Sequence, residues 1–129
     1  MSTKLTLGKE ERLKSNLGIQ DLLKNGHTLS GFPLKIYWKI SSDPQQKYPV
    51  RMAISVPKRK FKRAVDRNLM KRRIREAYRL NKSIIYEPLR EKNMNLFMLI
   101  LFLSDEFISF DNLETGMREL LHKLSKNLP

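Results

Sequence analysis

The chain reads as an α+β protein on three observations: residues 34–40 and 50–56 alternate apolar and polar, residues 96–103 are apolar throughout, and helical spacing fills the flanking segments. At 129 residues with 40% hydrophobic content, it suits one domain spanning 1–129 and is too short for two ordinary ones. The expected order is helix, strand, strand, helix, strand, helix, with room for a short extra strand at 26–31. The helices would lie on a small, mostly antiparallel sheet. The ends, 1–8 and 127–129, are expected to be flexible.

Each element has its own signal. Leu17 to Gly26 carries apolar residues at helical spacing and closes on Asn25-Gly26, a helix stop. Leu34, Ile36, Trp38 and Ile40 then alternate with Lys35, Tyr37 and Lys39, as in a half-buried strand. Ser41 to Gln46 is a turn by composition, and Val50, Met52, Ile54 and Val56 form a second strand, expected to make a hairpin with the first. Pro57 ends that strand, helical patterning runs from about Val65 to Asn81, and Pro88 marks a loop. Leu96 to Leu103 fits a central strand covered on both faces. The last helix starts near Asp111, a suitable cap, and shows Leu113, Met117, Leu120, Leu121, Leu124 and Leu128 on one stripe.

Charge dominates the surface. Lys58 to Arg79 holds eleven basic residues against Asp66 and Glu76, a net +9 of the chain's +13. On a helix turning about 100° per residue, Met70, Ile74, Ala77 and Tyr78 gather on one arc, and Asn68, Lys71, Arg72, Arg75 and Arg79 on the adjoining one. Such a face is either a solvated surface paired locally, as Arg72 with Glu76, or a surface laid along phosphates. Two acids cannot neutralise eleven cations, and the planar guanidinium suits bidentate phosphate contacts, so nucleic acid leads. On the sheet, Tyr37 between Lys35 and Lys39, with Arg51 and Ser55 on the next strand, suits single-stranded nucleic acid; a tyrosine at a sheet edge is the plainer alternative. Trp38 belongs to the core.

Other classes are disfavoured. With no cysteine there is no disulfide, thiolate metal site or cysteine nucleophile. His27 and His122 are far apart, and the carboxylates form no spaced cluster for two-metal chemistry, so no catalytic or metal-binding residue is assigned. The start lacks an apolar signal segment, and the longest apolar run falls well short of the roughly 20 residues that span a bilayer. A cytoplasmic protein without a membrane partner is expected.

The run from Ala64 to Arg79, Ala-Val-Asp-Arg-Asn-Leu-Met-Lys-Arg-Arg-Ile-Arg-Glu-Ala-Tyr-Arg, resembles the signature of the protein component of bacterial ribonuclease P. Ile54 to Arg59 is similar to the strand and basic exit that precede it, Arg12-Leu13 to an N-terminal Arg-Leu, and the later strand and Leu-rich helix stand where expected. The resemblance implies a left-handed βαβ crossover, against the usual right-handed rule. It also implies a cofactor for a catalytic RNA that uses Mg2+ to remove the 5′ leader of precursor tRNA, the magnesium being held through the RNA. Its partners would be that RNA and precursor tRNA. By position, Lys58, Arg59, Arg67, Asn68, Lys71, Arg72, Arg75 and Arg79 would contact the catalytic RNA. Ile19, Leu23, Tyr37, Arg51 and Ser55 would line the leader cleft.

Three departures accompany the resemblance. Leu69 replaces the second arginine of the Arg-Asn-Arg signature, leaving a neighbour such as Arg73 to supply its charge. Ile19 and Leu23 stand where aromatic residues are common, which shifts stacking toward Tyr37. Lys60-Phe61-Lys62-Arg63 lengthens a turn and is expected to add phosphate contacts. The alternatives are a non-catalytic binder of structured RNA, a degenerate paralogue, and a stand-alone nuclease that would need a histidine or metal centre.

Overall fold

A computed structural model describes residues 7–129, so the expected flexibility of 1–6 falls outside the described residues. A 3-10 turn at Lys9–Glu11 leads to helix α1 (Asn16–Asn25), strands β1 (His27–Gly31), β2 (Leu34–Ile40) and β3 (Val50–Ser55), helices α2 (Ala64–Asn81) and α3 (Ser83–Lys92), strand β4 (Leu96–Phe102) and helix α4 (Phe110–Lys126). Ser15 Oγ accepts from the Gly18 N–H to cap α1. Gly26 ends it where a Cβ would stand 2.5 Å from the Leu22 carbonyl oxygen, so a close backbone approach requires the glycine.

The sheet order is β1-β2-β4-β3, with β1/β2 and β2/β4 antiparallel and β3/β4 parallel. β4 is the central strand expected from its composition: Leu96, Met98, Ile100 and Phe102 join the main core, and Leu99 is buried on the opposite face. α2, α3 and α4 cover the first face. α1 lies over the second, with Leu22 buried against Leu13 and Leu99.

The expected hairpin between 34–40 and 50–56 is corrected, because β4 lies between those strands. β2 instead makes its hairpin with β1 through Phe32 and Pro33. The 41–49 connection crosses the start of β4, where the Ser41 N–H donates to Asn95 O at 2.8 Å and the Leu96 N–H to Pro49 O at 2.7 Å. The strand that is apolar on both faces takes the most covered slot. The extra strand anticipated at 26–31 is β1.

Two local expectations also change. Pro88 lies inside α3, whose Ile85, Tyr86 and Leu89 are fully buried; packing of that stripe outweighs the missing N–H. Asn93, left-handed at φ 54°, ends the helix. Ser109, not Asp111, caps α4: its Oγ accepts from the Asn112 N–H at 3.2 Å, and Asp111 sits in the first turn, where it favours the helix dipole. At the far end Leu128 is buried and Lys92 Nζ donates to Pro129 O at 3.1 Å.

Candidate nucleic-acid interface

The signature helix is set by its apolar arc. Met70, Ile74, Ala77 and Tyr78 are fully buried, which turns Asn68, Lys71, Arg72 and Arg75 outward or toward the N-terminal segment. That segment runs beside β3, with the Leu13 N–H donating to Met52 O at 2.8 Å and Arg12 bridging to Met52 in parallel. A cleft of about 270 Å³ opens between them. Arg12, Lys14, Lys71 and Arg75 line it together with Ile19 and Ala53, and among the described residues no carboxylate does. Arg75 is pushed below its usual value, first by partial burial and then by the guanidiniums of Arg12 and Arg72. These cations repel one another, and a bound polyanion would relieve them.

The cleft wall is anchored by a buried charge network. Glu11 and Lys82 are each 2% exposed, and Lys82 Nζ meets Glu11 Oε1 at 2.5 Å. Tyr86 Oη donates to the same oxygen at 2.6 Å, and the Gly8 N–H to Oε2 at 2.7 Å. Burial alone would raise the Glu11 carboxyl, but the bonds from Lys82, Tyr86 and Gly8 hold it below the usual carboxylate range. Arg12 and Leu13 follow Glu11 directly, so this anchor places them.

The expected RNA-contacting set is only partly gathered. Lys58, Arg59, Asn68 and Arg72 are exposed, and Lys71 and Arg75 line the cleft. Arg67 faces the loop instead, its Nη1 donating to Phe61 O at 2.8 Å and Lys62 O at 2.9 Å. Arg79 donates from Nε to Glu76 Oε2 at 3.0 Å, so Glu76 pairs with Arg79 rather than with Arg72. Arg73 does not replace the charge missing at Leu69: its Nη1 reaches away to Ile108 O at 2.9 Å.

The expected leader set divides by position. Ile19 lines the cleft. Arg51 borders an adjoining hollow of about 320 Å³ with Lys9 and Lys14, and its Nη1 meets Asp43 Oδ2 at 3.0 Å. Tyr37 and Ser55 lie on the second sheet face, in the rows Tyr37–Leu99–Ala53 and Lys35–Leu101–Ser55. Tyr37 is half-buried beneath α1, with Lys35 Nζ 4.9 Å from its ring centre. Leu23, 49% exposed, lines neither hollow.

Trp38 is buried as expected, and His27 packs on it with ring centres 4.6 Å apart. Among the described residues, no three His, Asp or Glu side chains gather to hold a metal ion, and no helix is long and apolar enough to cross a membrane. Sequence reasoning missed Arg12 and Lys14 as cleft cations, although Arg12-Leu13 carried a motif. It also missed the Glu11–Lys82 pair, for which no local signal exists.

A helix-on-sheet domain with a cleft lined, among the described residues, by four cations and no acid defines a small basic α+β protein. The family model described as Ribonuclease P matches residues 7–125. The ribonuclease P protein component of Porphyromonas gingivalis is 34% identical over 123 residues, covering 95% of this chain and 89% of the relative. That of Chlorobaculum tepidum is 30% identical over 129 residues, covering 94% and 84%. The RNase P protein from Thermotoga maritima shares the fold, with a TM-score of 0.69 at 24% identity over 88% of this chain and 96% of that one. The chain belongs to the ribonuclease P protein family.

Proposed function

We propose that this chain is the protein subunit of a cytoplasmic ribonuclease P ribonucleoprotein, binding the catalytic RNA and the 5′ leader of precursor tRNA to promote hydrolytic removal of that leader. The cleft lined by Arg12, Lys14, Lys71 and Arg75, with no carboxylate among the described residues, carries the reading. The protein supplies charge and position, while the catalytic RNA supplies the Mg2+ site and the chemistry.

Lys58, Arg59, Asn68 and Arg72 face the catalytic RNA from the exposed side of α2 and its preceding loop. Lys71 and Arg75 occupy the junction: they belong to the signature helix, yet share a cleft with Ile19 of α1. One pair of side chains therefore reaches both the catalytic RNA and the leader, holding the two polyanions together by neutralising phosphates at their closest approach. Tyr37, Arg51 and Ser55 extend the leader path over the second sheet face.

The test is cleavage of a 5′-extended precursor tRNA at low magnesium by ribonuclease P RNA alone, by this protein alone, and by both. Only the pair should cut efficiently. Lys71→Ala should weaken binding to the catalytic RNA and flatten the dependence of log affinity on log salt by about 0.7 to 0.9, one phosphate's share. A pair no faster than RNA alone, with binding intact, replaces this reading with a non-catalytic RNA binder or a degenerate paralogue.

A further inference from the structure

An exposed aromatic ring stands beside the basic loop that precedes α2. Phe107, between β4 and α4, is 53% exposed, and unlike a singly scattered apolar residue it adjoins a cluster of cations. It rests on Phe61 of the loop, with ring centres 5.0 Å apart and planes at 52°. Phe61 is 6% exposed and stacks in turn on the fully buried Phe102 at 5.9 Å. The ring is thus backed by the core and open toward solvent.

The two segments that make this platform are clamped by the α2 arginines that turn away from the outward basic arc. Arg67 Nη1 donates to the carbonyls of Phe61 and Lys62, and Arg73 Nη1 to the carbonyl of Ile108, next to Phe107. Around Phe61 the loop presents Lys58, Arg59, Lys62 and Arg63 to solvent, with Lys60 half-buried. The facing acids are few: Asp66 stands 3.9 Å from Arg63, and Asp105 and Glu106 precede Phe107.

We propose that Phe107 and the loop cations form a second RNA site, in which an unpaired base stacks on the open face of Phe107 while its flanking phosphates lie along Lys58 to Arg63. The site rests on the ribonuclease P reading for its RNA partner, and it is separate from the cleft at β3. Charge chooses a polyanion, and the backed ring chooses one that carries π-faces, which a single-stranded nucleotide does whatever its base. The run from Lys60 to Arg63 then has two effects, adding cations and placing Phe61 under the ring.

The probe is a fluorescently labelled single-stranded oligoadenylate of twelve nucleotides, titrated at several salt concentrations with the whole chain. Phe107→Leu keeps an apolar cover over Phe61 and removes the π-face, so it should weaken binding about tenfold with the salt dependence unchanged. Phe107→Trp should bind at least as tightly as the parent, and its indole emission should be quenched on saturation; Trp38, buried, provides the constant background. Equal binding by Phe107→Leu, or an unquenched Phe107→Trp at saturation, overturns the proposal. So does failure of the parent chain to bind the probe. If the parent stimulates precursor cleavage with ribonuclease P RNA while either Phe107 result is negative, only the second site falls; if it does not stimulate cleavage, the subunit reading falls first.

Discussion

Glu11 shows how one residue can fix a binding wall from outside it. Its carboxylate is buried and meets an ammonium, a phenol and a backbone N–H, so removing its charge breaks a buried ion pair. Glu11→Gln should cost about 3 kcal/mol at neutral pH, measured by urea unfolding. Because the folded carboxyl lies below its ordinary value of 4.5, its contribution is fully present above that value and disappears as pH falls through the lower folded one. The parent should therefore lose stability in acid more steeply than Glu11→Gln, and parallel acid profiles would argue against the pairing. Neither Glu11 nor Lys82 was legible in the sequence, since they are 71 residues apart and charged residues are rarely fully buried.

Among the elements, α3 and the sheet order departed from expectation for related reasons. Local signals report what a segment prefers alone, whereas Pro88 and the 34–40/50–56 pairing were decided by neighbours. In α3, the buried stripe of Ile85, Tyr86 and Leu89 holds the helix across a residue that cannot donate to Ile84. Pro88→Ala restores that donor and removes the ring clash, at the expense of a looser unfolded chain. A net gain of about 1 kcal/mol is expected from chemical denaturation. No gain would mean that α3 already bends to accommodate the ring. The helix of α2 and the central position of β4 were readable because their patterns are long and unambiguous, one with a 3.6-residue period and one apolar on both faces. β1 was read only as room for a strand, since His-Thr-Leu-Ser-Gly has little patterning and forms against β2.

For the whole molecule, a net charge of +13 is a standing cost that anions relieve. Partial burial, and after it the guanidiniums of Arg12 and Arg72, push Arg75 below its usual value, and a bound phosphate would ease that repulsion. Pyrophosphate at about a hundredfold over its Kd should raise Tm by about 5 °C or more, compared with chloride at equal ionic strength. Arg75→Gln should show a smaller rise. An equal rise in both would place the anion elsewhere on the surface.

The sequence by itself determined the α+β class, the basic helix with its apolar arc, the buried central strand and the strong positive charge, because each depends on composition or on a period within one segment. The tertiary structure alone decided which cations act together. It brought Arg12 and Lys14 from the N-terminal segment to Lys71 and Arg75 in one cleft, turned Arg67 and Arg73 onto backbone carbonyls, and set Phe107 on Phe61. These are contacts between segments distant along the chain, fixed by the parallel placement of β3 beside β4 and the packing of α2 and α4, and no local period encodes them.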